Sequence, residues 1–173
     1  MTEDFSLQEL SRLRADFPIL GRVGRGGKPI AYLDFSATSQ KPVHVIDAIS
    51  NFYRTSNGAV HRGTHLLGDE STAAFEEGRS ILANFIGGRA NEIVWTKNAT
   101  EAINLVALAM RNASQDSAAK PSPVKLSAGD NIVITRAEHH ANLVPWQQLC
   151  AATGTELRWL DLHEDGRIDC ETL

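Results

Sequence analysis

Cysteine is scarce in this chain: Cys150 and Cys170 are the two among 173 residues, too few for the disulfide framework of a small secreted domain. A basic excess is missing as well. Seventeen lysines and arginines face 21 aspartates and glutamates, for a net charge of −4, so nothing is left over to neutralise a phosphate backbone. Nucleic acid is excluded as the main partner. Long apolar runs are also lacking, since the stretch around Ile103 to Met110 falls well short of the ~18 residues that a membrane span needs. We expect no membrane partner. Met1-Thr2-Glu3-Asp4 has neither the positive charge nor the apolar core of a secretory leader, so the expected localisation is cytoplasmic. What remains is a chain with 42% hydrophobic residues, enough to build the core of one soluble domain or of a piece of a larger one.

The residues that are present divide the chain into recognisable elements. Ser6-Leu7-Gln8-Glu9 fits a capping box, with Leu7, Leu10 and Leu13 following at helical spacing. Gly21 to Pro29 is rich in glycine and arginine, and Ala31 to Asp34 reads as a short strand entering a polar turn, Ser36 to Gln40. Val45, Ile46, Ile49 and Phe52 repeat with a 3.6-residue period and predict an amphipathic helix from Val43 to Tyr53. A polar stretch from Ser56 to Asp69 separates it from a helix carrying Phe75, Ile81, Leu82 and Phe85, stopped by Gly87-Gly88. A regular alternation follows: strand Glu92 to Thr96, helix Glu101 to Met110, strand Asn131 to Thr135, helix Ala141 to Ala152, strand Glu156 to Leu160. Such alternation predicts a parallel sheet with right-handed crossover helices. Asn112 to Gly129 shifts to Ser, Ala, Pro, Lys and Gln and predicts a solvent loop. A turn at Asp165 to Asp169 leads towards Cys170. A parallel sheet ending after about three strands would expose an edge and apolar faces, so we expect either a covering partner or further residues beyond Leu173.

Motif by motif, several chemistries drop out. Gly21 to Lys28 is not a phosphate-binding P-loop, because Arg22 and Pro29 occupy the critical places, and no Gly-x-Gly-x-x-Gly follows a strand. His61 and His65 stand four apart, but Gly58 and Gly63 argue against a helix that would align them, and no Glu follows His61, so no metal site is expected. Ordinary loop contacts and a functional role both remain open for these two histidines. Thr96-Lys97-Asn98-Ala99-Thr100-Glu101 lies where a strand hands over to a helix. Free N–H groups there could dock a phosphate, with Thr100 adding a hydroxyl, or Asn98 or Thr100 could simply cap the helix. His139 occupies the same topological place after the next strand, and ligands of open α/β sheets bind at such strand ends.

Several separated segments resemble one family. Asp16-Phe17-Pro18-Ile19-Leu20, Tyr32-Leu33-Asp34, Ser39-Gln40-Lys41-Pro42, Ala59-Val60-His61-Arg62-Gly63, Thr96 through Asn104, Glu138-His139-His140-Ala141-Asn142 and Pro145-Trp146-Gln147 are similar in order and spacing to the SUF-type cysteine desulfurases of the class-V aminotransferase superfamily. The run from Asn112 to Lys125 is longer than that family suggests, and Phe35-Ser36-Ala37-Thr38 stands where Ser-Ala-Ala or Ser-Gly-Ala is more usual. The resemblance implies an α/β fold, the three-layer α/β/α fold-type-I transferase, truncated here. It implies residues 1–30 as an N-terminal helix and arm, and 31–173 as the N-terminal part of the large domain that binds pyridoxal 5′-phosphate. It implies that His139 stacks on the cofactor ring and handles protons as the catalytic histidine, that Ala99 and Thr100 bind the cofactor phosphate, and that Ala37 and His61 line the substrate side.

The same resemblance points to groups that this chain does not supply. The five lysines, Lys28, Lys41, Lys97, Lys120 and Lys125, lie outside the family's Schiff-base context. Neither Cys150 nor Cys170 has the setting of its sulfur-accepting nucleophile, and each reads as a core or incidental thiol. The resemblance therefore implies an N-terminal fragment, inactive alone, of a homodimeric enzyme that converts L-cysteine to L-alanine and passes sulfur through a persulfide to an acceptor protein for iron–sulfur cluster assembly. Selenocysteine lyase, another class-V enzyme, or a non-catalytic fragment that only self-associates are the alternative expectations.

Overall fold

The computed structural model describes residues 5–115 and 124–171. It divides into two compact units, Met1–Ile93 and Val94–Leu173. In the first unit, α1 spans Leu7–Ala15, and its Ser6 capping box forms as the sequence predicts: the Glu9 N–H donates to Ser6 Oγ at 3.3 Å and the Ser6 N–H to Glu9 Oε2 at 2.8 Å. Arg14 at the end of this helix donates to the carbonyls of Leu20 (2.8 Å) and Ile30 (2.6 Å), tying the glycine-rich arm back to α1. The strand expected at 31–34 does not form. Tyr32 Oη instead sits 2.7 Å from the Thr38 carbonyl and 3.0 Å from that of Asp34, winding the segment into a turn, because an apolar run becomes a strand only where a neighbour offers a hydrogen-bond ladder.

Helix α2 (Val43–Thr55) matches its predicted amphipathic span, whereas α3 (Leu66–Phe85) starts inside the stretch read as polar loop. His65 explains the difference: its Nδ1 accepts from the Gly68 N–H at 3.3 Å and caps the helix. Gly87, at φ +73°, ends α3 as expected.

In the second unit, α4 (Ala99–Gln115) packs on α5 (Val144–Thr153), and β1 (Asn131–Thr135) pairs in parallel with β2 (Glu156–Leu160), Asn131 opposite Glu156 and Thr135 opposite Leu160. Helix α4 thus takes in Asn112 to Gln115, expected as loop, while residues 116–123 of that expected loop lie outside the described ones. Gly154, at φ +73°, reverses the chain between α5 and β2, which explains the short crossover. Ala107, Ile134, Leu149 and Cys150 form the buried core of this unit, so Cys150 is a core thiol and Cys170 an exposed one. The turn expected before Cys170 forms, with Gly166 at φ +83° and an isolated bridge joining Leu162 to Ile168.

Two departures concern the sheet. The strand expected over Glu92 to Thr96 is absent: Ala90–Glu92 is a 3-10 turn, and Ile93 is extended without joining the described sheet, which consists of β1 and β2. Strand β1 is also covered on one face, Ile134 being buried while Val133 is 40% exposed, because α5 supplies one apolar layer where a doubly wound sheet needs two. Val94 (67%), Trp95, Leu7 and Phe85 are likewise open to solvent. Each such side chain forgoes ~1.5–3 kcal/mol of burial, against a total domain stability of ~5–15 kcal/mol. The 173 residues alone should therefore self-associate or melt broadly, and light scattering should give a mass above the monomer. A sharply melting monomer at micromolar concentration would contradict this. Among the described residues no helix is long and apolar enough to cross a membrane.

Candidate functional site

At the N-terminus of α4 the cap that the sequence allowed forms. Asn98 supplies it, its Oδ1 accepting from the Glu101 N–H at 2.9 Å, and the Asn98 carbonyl accepts the first helical bond from Ala102 at 3.1 Å. Capping satisfies Glu101 but leaves the N–H groups of Ala99 and Thr100, and the Thr100 hydroxyl, without a hydrogen-bond partner among the described residues. Three donors at the positive end of a 17-residue helix suit a phosphate. Glu101 would oppose an anion there. Its carboxylate is turned back onto Lys97, accepting from the Lys97 N–H at 2.5 Å with Nζ at 3.5 Å, which offsets part of its charge.

His139 follows β1 and caps the 3-10 turn His140–Asn142, which packs against α4. Its Nδ1 accepts from the Ala141 N–H at 3.1 Å, so the neutral ring carries its proton on Nε2. The imidazole is exposed, and its one ring neighbour among the described residues, His140, meets it edge-on at 6.0 Å. One face is thereby available for stacking. Next to it, Glu138 accepts from Thr135 Oγ1 (2.9 Å) and Asn142 Nδ2 (2.7 Å), and these two bonds, Asn142 first, hold its carboxyl below the usual range.

Ala37 and His61 belong to the first unit. Ala37 lies in the turn after Tyr32, its N–H donating to the Asp34 carbonyl at 3.2 Å. His61 adopts φ +58°, the left-handed region that L-residues avoid unless the surroundings hold them there. The holding groups are on α3: Thr72 Oγ1 accepts from the His61 N–H at 3.0 Å, and Glu76 Oε1 lies 3.0 Å from His61 Nε2. Phase by phase along the chain, the loop is stapled to that helix: Ser71 Oγ accepts from the Gly58 N–H (2.8 Å) and donates to the Ser56 carbonyl (2.6 Å). The ordinary contacts open to His65 are its helix cap, and His61 has both contacts and strain. Among the described residues no group of three metal-ligating side chains converges.

Sequence reading missed Ser71, Thr72 and Gly68. The available signal was the glycine spacing: Gly58, Gly63 and Gly68 recur every five residues, and each lacks a Cβ where backbone meets backbone. A Cβ on Gly68 would stand 2.7 Å from Gly63 Cα and 3.0 Å from its carbonyl carbon. Gly68→Ala should accordingly destabilise the chain by about 1–3 kcal/mol, seen as a lowered denaturant midpoint. An unchanged midpoint would show that the loop gives way freely.

The class-V aminotransferase family model matches residues 31–173. Among curated relatives, the chain is 50% identical over its whole length to a probable cysteine desulfurase 2 of Mycobacterium leprae, covering 40% of it. It is 47% identical over 95% of its length to a cysteine desulfurase of Klebsiella pneumoniae, covering 38% of that protein. Among solved structures, it resembles the apo cysteine desulfurase of Thermococcus onnurineus NA1 with a TM-score of 0.77 and 35% identity, over 94% of this chain and 36% of that one. It resembles the Escherichia coli cysteine desulfurase CsdA with a TM-score of 0.66 and 36% identity, over 89% and 35% of the two chains. The chain thus spans about two fifths of the length of the curated relatives it matches. With the family model covering all but the first 30 residues, and the α/β fold of those enzymes reproduced over the matched stretch, the chain belongs to the class-V aminotransferase family.

Proposed function

We propose that the chain is the N-terminal part of a pyridoxal-5′-phosphate-dependent cysteine desulfurase. In this reading residues 1–30 are a helix and arm, and 31–173 begin the cofactor-binding large domain. The observation that carries it is the 50% identity, over every residue of the chain, to a relative named as a probable cysteine desulfurase. The free donors at the start of α4 support it independently, since they fit the phosphate of such a cofactor.

Bound pyridoxal 5′-phosphate supplies an electron sink for the bonds at the substrate's α-carbon. The N–H groups of Ala99 and Thr100, with the Thr100 hydroxyl, hold its phosphate. His139 presents its open ring face to the pyridine and keeps Nε2 as the proton-bearing nitrogen, Nδ1 being engaged by Ala141. Ala37 and His61 line the substrate side, and the contacts of His61 with Thr72 and Glu76 keep its imidazole in one place. The overall reaction balances: L-cysteine and an enzyme thiol give L-alanine and an enzyme persulfide, with sulfur changing hands and no external oxidant. A sulfur-acceptor protein, a homodimeric assembly, the cytoplasm and the SUF type of the family complete the proposal. The Glu138 to Asn142 and Ala59 to Gly63 segments favour that type.

The test is to purify the full-length protein with pyridoxal 5′-phosphate and supply L-cysteine or L-selenocysteine under a reductant. Alanine and sulfide released one for one from cysteine are expected. Preference for selenocysteine would favour a selenocysteine lyase, and absence of both activities would overturn the reading.

A further inference from the structure

His139 has a weakness as a cofactor-facing residue. It is exposed, and among the described residues its ring is held by one bond, from a backbone N–H two positions further on. Its ring contact among the described residues is the edge of His140, itself exposed, so its aim depends on the rigidity of the turn that carries it.

That turn is tied at both ends by a directional chain of hydrogen bonds. The Trp146 indole Nε1–H donates to Asn142 Oδ1 at 2.8 Å, Asn142 Nδ2–H donates to Glu138 Oε2 at 2.7 Å, and Thr135 Oγ1–H donates to Glu138 Oε1 at 2.9 Å. Thr135 Oγ1 in turn accepts from the Ala137 N–H at 3.2 Å. Glu138 precedes His139 and Asn142 follows it by three, so the bond between their side chains closes the turn that carries the imidazole. One end of the chain is the last residue of β1, and the other is on α5, beside buried Pro145 and Leu149. All four side chains are half-buried, where a directed bond constrains more than on an open surface. The carboxylate suits the centre of this chain because it offers two acceptor oxygens, one for each donor.

We propose that Glu138 is a positioning residue for His139, its carboxylate locking the turn between β1 and α5 so that the Ala141 N–H holds the imidazole in one orientation. The role in binding rests on the reading of His139 as the residue that faces pyridoxal 5′-phosphate, whereas the locking itself does not. Gln in place of Glu138 retains one acceptor for Asn142 and can donate to Thr135, so it should restore the lock that Ala removes.

The experiment uses the full-length protein, with two readouts. In Glu138→Ala, affinity for pyridoxal 5′-phosphate, followed by its visible absorbance, should fall about tenfold, the worth of one lost side-chain hydrogen bond. The ring-nitrogen resonances of His139 should move towards those of a free imidazole. Glu138→Gln should lie close to wild type in both. Asn142→Ala, which opens the turn from the other end, should repeat the Ala result and stands in should Glu138→Ala not fold. In a His139→Ala background, Glu138→Ala should cost no further affinity. Unmoved His139 resonances in both Ala variants, an equal loss of affinity in the His139→Ala background, or a Gln variant as impaired as Ala would each overturn the proposal. Failure of the wild type to bind the cofactor would instead overturn the functional reading, while the resonances still report on the lock.

Discussion

Given L-cysteine, pyridoxal 5′-phosphate and a reductant, a homogeneous preparation of these 173 residues should release neither sulfide nor alanine above the rate of the free cofactor. The expected effect is a complete loss relative to the full-length protein. The reason is positional. Lys97 stands at the hand-over into α4, yet its side chain is 84% exposed and turned to Glu101. Lys28 and Lys41 lie in the arm and the turn before α2, and neither fits the family's Schiff-base context. A lysine held covalently to the cofactor is part of this chemistry, because it presents the cofactor in a reactive form. The thiols do not substitute for the sulfur acceptor either. Cys150 is 7% exposed in the core of the second unit, closed to an incoming substrate, and Cys170 sits in an open turn. Turnover by the isolated 173 residues would show that one of these groups acts outside the expected context.

Replacing His139 by Ala in the full-length protein should leave the fold standing and slow cysteine turnover by about a hundredfold or more. The fold survives because the side chain is exposed and, among the described residues, its ring accepts one hydrogen bond, from the Ala141 N–H. The loss follows from removing both a stacking face and an acid–base group at once. Thermal midpoint and turnover are measured on the same sample, together with cofactor retention. A surface histidine without a role would leave retention and turnover unchanged, and that result would move the cofactor site elsewhere.

The helices were the most legible part of the chain. In α1 the Ser6–Glu9 pair is a local signal whose partners lie within one turn, and in α2 the 3.6-residue apolar period is a property of consecutive residues. Neither needs the rest of the molecule to be read. Strands β1 and β2 were also legible, since dense Ile, Val and Leu between turn residues carries its own signal. Over Ala31 to Asp34 and Glu92 to Thr96 a similar signal misled, because pairing depends on whether another backbone arrives alongside. The start of α3 was hidden by a cap that composition does not advertise, a histidine nitrogen receiving Gly68.

For the site, the same division holds. Sequence alone determined the α/β character, the family resemblance and the residue types placed at two strand-to-helix junctions: Asn98 to Glu101, and Glu138 to Asn142. These depend on local order and on the matching of short segments. Tertiary structure decided which donors at Ala99 and Thr100 lack a partner among the described residues once Asn98 has capped α4, that His61 is held at positive φ by Thr72, and that Trp146, Asn142, Glu138 and Thr135 form one chain across the turn that carries His139. The physical reason is that a hydrogen bond is decided by ångström distances and directions between groups whose separation along the chain says little about their approach in space.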